Sequence, residues 1–289
     1  MKVETISFEG AEGNRLVADL YGGGEGPAAV LLHGGGQTRH SWGGLAGRLA
    51  QSGWRAITVD MRGHGDSDWS EPGHYSFLDY AADARQIFCQ TRDRYGRAPV
   101  AVGASLGGIS SMLVAGDEAP PLSALVLVDV TPRLDPNGVS GILEFMAARM
   151  QAGFATLEEA ADAVADYLPH RPRPTSLEGL RKNLRIGADG RYRWHWDPRF
   201  IDGPRPVSSA EPDQPDLLVD AARRISIPTL LVRGTRSELV GEEHVREFLE
   251  IVPHAVFSDV GGAGHMVAGD RNDVFAQAVQ DFLGQLETA

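Results

Sequence analysis

The chain predicts an α/β fold, a mostly parallel sheet with helices on both faces, and three observations carry that prediction. Five short and nearly continuous apolar runs, at 28–32, 54–59, 99–102, 124–128 and 229–232, have the pattern of strands covered on both faces. Stretches with helical character and crossover length separate most of them, as parallel neighbours require. Between Val130 and about Arg224 this alternation stops and gives way to helical patterns punctuated by proline, which marks one insertion.

Taken in order, 2–8 and 14–21 alternate apolar with polar residues around the turn Glu9-Gly10-Ala11-Glu12-Gly13. They read as an antiparallel hairpin at a sheet edge. Helical crossovers are predicted at 45–51, 77–94 and 109–115, and further helices at 242–251 and 274–286 flank a last strand at 255–260. Asp270 is placed to cap the final helix, with Asp273 in its first turn. Within the insertion, 141–152, 157–167 and 176–186 read as helices, and the proline-rich stretches near 170–175 and 203–215 as loops. The expected organisation is a core over 1–130 and 225–289 and a mainly helical cap over 131–224. The cap would lie above the C-terminal edge of the sheet, where open α/β sheets bind ligands.

Composition narrows the function classes. At 289 residues, 42% hydrophobic and 23% charged, the chain can bury a full α/β core. Its net charge of −12 argues against nucleic acid or an anionic membrane as partner. The single cysteine, Cys89, allows neither an internal disulfide nor a cysteine-built metal site, and it reads as a small core residue. The N-terminus lacks a signal-peptide pattern and no run reaches membrane-span length, so a cytoplasmic location is expected.

The chemistry centres on Ser105. The run 98–108 is an apolar strand ending in Gly103-Ala104-Ser105-Leu106-Gly107 and continuing into small, helix-compatible residues. A tight strand-to-helix turn of this kind lifts the serine hydroxyl above the sheet, and the flanking positions can carry almost no side chain. A serine hydroxyl is a weak nucleophile near neutral pH and needs a base, with a third group to orient that base. Of nine histidines, His265 in Gly261-Gly-Ala-Gly-His265 follows the last strand and so belongs at the same edge. His33 reads as a loop-shaping residue. His64, in Arg62-Gly-His-Gly-Asp-Ser-Asp68, has no second histidine at helical spacing, and no metal is expected.

Two acids compete to orient the base. Glu238 follows the strand at 229–232 and Asp129 ends the strand at 124–128; both keep the chain order serine, acid, histidine. Glu238 is preferred on placement. For the oxyanion of an acyl transfer, one donor is the N–H of Leu106, and the glycine run Gly34-Gly35-Gly36 supplies another, with Gly35 the first choice and Gly34 and Gly36 beside the substrate.

These features together, His33-Gly34-Gly35-Gly36, Asp60-Met-Arg-Gly-His-Gly-Asp-Ser-Asp68, Gly103-Ala-Ser-Leu-Gly107 and Gly264-His265, resemble the α/β-hydrolase superfamily over nearly the whole chain. The likeness is to its cap-bearing branch, which includes esterases, lactonases, C–C-bond hydrolases, cofactor-free haloperoxidases, epoxide hydrolases and haloalkane dehalogenases. It implies an eight-stranded, mostly parallel sheet and a triad of Ser105, an acid and His265. The family's commonest acid position matches Glu238, and a less common one matches Asp129. Epoxide hydrolases and dehalogenases of this branch carry aspartate where this chain has Ser105. Haloperoxidases often carry methionine where it has Leu106.

The expected function is hydrolysis of a carboxylic ester or lactone through an acyl-enzyme on Ser105, without a cofactor. A C–C-bond hydrolase or amidase would use the same residues, and a haloperoxidase or perhydrolase or a catalytically silent ligand-binding relative are further alternatives. The substrate is expected to be a small molecule with an apolar or aromatic part. Trp194 and Trp196, with Tyr192 and Phe200, either line its pocket or anchor the insertion. His195, Arg191, Arg193 and Arg199 either contact a carboxylate on the substrate or are solvated charge, and the second reading is preferred. Oligomeric state is not legible.

Overall fold

The antiparallel edge is formed by β1 (Val3–Glu9) and β2 (Arg15–Tyr21), paired along their length from Val3 opposite Tyr21 to Glu9 opposite Arg15. The description comes from a computed structural model covering residues 2–169, 176–209, 216–265 and 272–288. The apolar runs then form β3 (Ala28–Leu32), β4 (Arg55–Val59), β5 (Val100–Ala104) and β6 (Ala124–Val128). Helices α1 (Gly43–Gln51), α2 (Phe77–Tyr95) and α3 (Leu106–Ala115) connect them. The start of α2 is fixed by Asp79, whose Oδ2 accepts from both the N–H and the Oγ–H of Ser76 at 2.8 Å. Its end is set by Gly96, left-handed at φ 74°, a conformation that glycine adopts without steric cost.

The insertion after β6 contains α4 (Pro136–Ala148), α5 (Leu157–Tyr167), the short α6 (Glu178–Arg181) and α7 (Leu217–Arg223). It also contains a small antiparallel hairpin, β7 (Leu184–Ile186) with β8 (Tyr192–Trp194). The helix expected over 176–186 is therefore corrected. Only its first part is helical, because Leu184–Ile186 finds a cross-strand partner in Tyr192–Trp194 across a turn containing Gly190 at φ 77°.

The chain returns to the sheet with β9 (Thr229–Gly234), α8 (Glu242–Ile251), β10 (Val256–Val260) and α9 (Asn272–Thr288). The eight-stranded order is β1-β2-β4-β3-β5-β6-β9-β10, parallel from β4 to β10 and antiparallel at β1 and β2. The fold class expected from the sequence is thus the one observed. Asp270, the expected cap of α9, lies outside the described residues.

Successive strand residues feed opposite faces, as the two-residue period demands. Val30 and Leu32 join the cluster containing Ile87 of α2 and Ile109 of α3, whereas Ala29 and Leu31 join the one containing Leu49 of α1 and Phe275 of α9. Each fully buried aliphatic side chain contributes about 1.5–3 kcal/mol relative to exposure. The first cluster also contains Met146, Trp196 and Phe200, so the insertion is packed onto the same core as the sheet. Because β3, β5, β6, β9 and β10 run parallel, the loops after them all meet at one edge. Among the described residues no helix is long and apolar enough to cross a membrane.

Candidate active site

The turn from β5 to α3 places Ser105 at φ 46° and ψ −115°, a strained conformation for a side-chain-bearing residue. Its backbone is tied down on both sides: Ser105 N–H donates to Val128 O at 3.3 Å, and Ile109 N–H donates to Ser105 O at 2.8 Å. The flanking glycines are steric requirements. A Cβ on Gly103 would overlap the Gly107 carbonyl, and a Cβ on Gly107 would overlap the carbonyl of Leu32.

On the neighbouring strand, Asp129 follows β6, is fully buried, and has φ 51°. Its carboxylate accepts three hydrogen bonds. Oδ1 takes the Gly234 N–H at 3.1 Å, and Oδ2 takes the Ser237 Oγ–H at 2.5 Å and His265 Nδ1 at 2.7 Å. A buried carboxylate is costly unless it is satisfied in this way. A carboxylate can only accept, so Nδ1 of His265 carries the proton, and Nε2 is the nitrogen left to act as a base.

The His265 loop is held by the loop after β9. Thr235 N–H donates to Val260 O at 3.1 Å, Arg236 N–H to Ala263 O at 2.8 Å, and Gly262 N–H to Thr235 Oγ1 at 2.9 Å. The preference for Glu238 is corrected by this geometry: the carboxylate bonded to His265 is that of Asp129. Glu238 is exposed on the cavity wall, and its main-chain carbonyl packs against Gly138 of α4. Both acids follow strands that end at the same edge, but only Asp129 enters the space behind the imidazole. Ser237, which fixes it there, carried no motif in the sequence.

The glycine run after β3 faces Ser105. Gly34 N–H donates to Gln37 Oε1 at 3.3 Å and Gly36 N–H to His64 Nε2 at 3.0 Å. Gly35 N–H meets no acceptor among the described residues. The N–H of Leu106 opens α3, and the first amides of a helix have no partner within it. Phe200 covers the run so closely that a Cβ on Gly35 would lie 3.2 Å from its ring.

Ser105, Leu106, Gly35 and His265 share a cavity of about 860 Å³. Its roof comes from the insertion: Ile142, Leu143, Phe145 and Met146 of α4, Tyr167 of α5, and Leu217 and Leu218 of α7. Phe145 and Tyr167 stack at 4.2 Å, and Trp194 meets Phe154 edge-on at 5.3 Å. Trp194, Trp196 and Phe200 line the cavity, and Trp196 and Phe200 also belong to the buried core, so lining and anchoring are combined. Tyr192 instead pairs with Phe154 through its backbone. Burial pushes the Tyr167 hydroxyl up to about 12, with the Glu238 charge adding to the effect.

The arginines of the cluster at 191–199 are engaged outside the cavity: Arg193 with Asp189, Arg199 with Asp197, and Arg191 with the carbonyls of Ala152 and Gly153. His195, held below its usual pKa by burial, donates its N–H to Asn183 O, and its carbonyl accepts from Gly65 N–H. Elsewhere, Glu12, His74 and Asp79 place ligand atoms within 4.8 Å of one another. Arg62 pairs with Glu12 and Arg205 with Asp79, which makes this an ion-pair network.

Residues 27–271 match the family described as alpha/beta hydrolase fold. The chain is 30% identical over 264 residues to the sn-1-specific diacylglycerol lipase of Mus musculus, covering 89% of this chain and 81% of that protein. It is 30% identical over 276 residues to the 2-(acetamidomethylene)succinate hydrolase of Mesorhizobium japonicum, covering 93% and 92%. The crystal structure of an esterase from Mycobacterium tuberculosis superposes with a TM-score of 0.75 at 28% identity, covering 98% of this chain and 92% of that one. With a family match across residues 27–271, most of its length, the chain belongs to the alpha/beta hydrolase fold family.

Proposed function

We propose that the protein is a serine hydrolase that cleaves a carboxylic ester with a sizeable apolar part through an acyl-enzyme. The observation that carries this reading is the 2.7 Å bond between the buried Asp129 and His265, which lines the same cavity as Ser105. In the proposed reaction Ser105 Oγ attacks the ester carbonyl as His265 Nε2 takes its proton. The N–H groups of Gly35 and Leu106 stabilise the oxyanion, and Asp129 holds the Nδ1–H tautomer and stabilises the imidazolium. His265 returns the proton to the departing alcohol. A water, activated by the same nitrogen, then attacks the acyl carbon and releases the acid and Ser105.

The insertion acts in this reading as a cap that selects the substrate. The charged residues lining the cavity, Arg133, Asp216 and Glu238, stand beside a predominantly apolar interior, and Arg133 is paired with Asp216 and Glu247. A dicarboxylate such as the one named for the Mesorhizobium relative would meet two carboxylates and a paired cation there. An apolar ester, as the name of the murine lipase implies for that protein, fits the lining better. The test is turnover of a series of p-nitrophenyl esters by the wild type and by Ser105→Ala. Release that depends on Ser105 and rises with acyl length supports the reading, and equal turnover by the variant refutes it.

A further inference from the structure

Two histidines that take no part in the proposed chemistry lie fully buried beside the glycine run, with ring centroids 5.1 Å apart. Each uses its two nitrogens in the same way. His33 Nδ1 bonds to Gly34 O at 2.8 Å and its Nε2 accepts Met61 N–H at 3.1 Å. His64 Nδ1 bonds to Arg62 O at 2.9 Å and its Nε2 accepts Gly36 N–H at 3.0 Å. A carbonyl only accepts and an amide N–H only donates, so both rings must be neutral with the proton on Nδ1. Burial agrees with this state, holding His33 down to about 4 and His64 to about 3.

We propose that His64 is a positioning residue for the oxyanion site, its Nε2 lone pair holding the Gly36 N–H so that Gly35 N–H remains available to a substrate oxygen. This rests on the serine-hydrolase reading above. Of the three amides in the run, Gly34 is tied to Gln37 and Gly36 to His64, and Gly35 alone meets no acceptor among the described residues. The Gly36 N–H belongs to the Gly35–Gly36 peptide, which shares the Gly35 Cα with the Gly34–Gly35 peptide that carries the Gly35 N–H, so holding the first fixes one of the two planes that meet at Gly35. The ring itself is clamped: Phe200 meets it edge-on at 5.0 Å and Tyr80 at 6.4 Å. Phe200 in turn covers Gly35, so the insertion and the motif at 60–68 act on the same peptide. The arrangement gives the histidine of Arg62-Gly63-His64-Gly65 a role unrelated to metal binding or proton transfer.

The test compares His64→Leu, which cannot accept a hydrogen bond, with His64→Gln, whose amide oxygen can. Steady-state kinetics on a short activated ester would be combined with inhibition by a trifluoromethyl ketone, which forms an oxyanion on Ser105, and by the matching methyl ketone. His64→Leu is expected to lose roughly 10- to 100-fold in kcat with KM little changed. Trifluoromethyl ketone affinity should fall in parallel and methyl ketone affinity should hold, with His64→Gln restoring most of the loss. A folded His64→Leu protein with wild-type kcat, or with both ketones weakened equally, overturns the proposal. Should His64→Leu fail to fold, nitrogen-15 NMR of the wild type decides: a protonated Nδ1 and bare Nε2 on His64 support it, and the opposite tautomer overturns it. A wild type that neither turns over ester nor forms a Ser105 adduct overturns the hydrolase reading and this inference together.

Discussion

Ser105 and Asp129 are the two non-glycine residues with positive φ among the described residues, at 46° and 51°, and they stand at the ends of adjacent parallel strands. The Ser105 N–H donates to Val128 O, which links the two turns directly. Backbone held in such regions costs of order 1–3 kcal/mol per residue and persists where surrounding structure over-determines it. Here the surroundings are the Gly103–Gly107 contact on one side and the donors from Gly234 and Ser237 on the other.

Relief of that strain is measurable. Ser105→Gly is expected to abolish turnover while raising the unfolding free energy by about 1 kcal/mol, because glycine adopts this geometry freely. Chemical denaturation of the two proteins checks it. A variant less stable than the wild type would mean that the serine turn is not strained.

The identity of the acid separates two substitutions. Asp129→Asn leaves shape but removes the charge that fixes the imidazole, and is expected to lower kcat by about 10⁴-fold. Glu238→Gln is expected to change it by no more than a few-fold, since Glu238 makes no bond to His265. Ser237→Ala, which takes away one of three donors to Asp129, should fall between them. Parallel kinetics on one ester give the order directly.

The roof of the cavity should set acyl length. Ile142 and Met146 lie on the wall formed by α4, and Ile142→Trp would fill part of the 860 Å³ space. The expected result is a shift of the preferred p-nitrophenyl ester towards shorter chains, with acetate turnover retained. An unchanged chain-length profile would place the acyl chain elsewhere.

Acid should destabilise the fold through the buried histidines. Both His33 and His64 have pKa values depressed from 6.5, to about 4 and about 3, so below about pH 6.5 the unfolded chain binds protons that the native state refuses. Stability therefore falls as pH drops from about 6.5 towards 4, at roughly 1 kcal/mol per pH unit for each histidine at full effect. Denaturation midpoints of the wild type and His64→Gln across that range check this, and the variant is expected to show the shallower slope.

Much of this was legible in the sequence because it rests on local chemistry. The continuous apolar runs could be little else than buried strands, and the run from Val100 through Ser105 to Ala115 announced a strand, a turn and a helix together. The choice between Asp129 and Glu238 was not legible. Both follow strands ending at the same edge, and what separates them is which carboxylate points inward to meet the donors of Ser237 and Gly234, a fact of tertiary packing. The stretch 176–186 misled for a related reason: its local pattern favours a helix, but Leu184–Ile186 pairs with a strand that begins eight residues after Leu184. His64 stood in a visible motif, yet its role depends on a hydrogen bond to Gly36, 28 residues away.

The most direct test of the central claim is to treat the purified protein with a fluorophosphonate, map the adduct by peptide mass spectrometry, and follow ester turnover in the same sample. A single adduct on Ser105, formed in step with loss of turnover, is the expected result. An adduct elsewhere that abolishes turnover, or full turnover with Ser105 blocked, would contradict it.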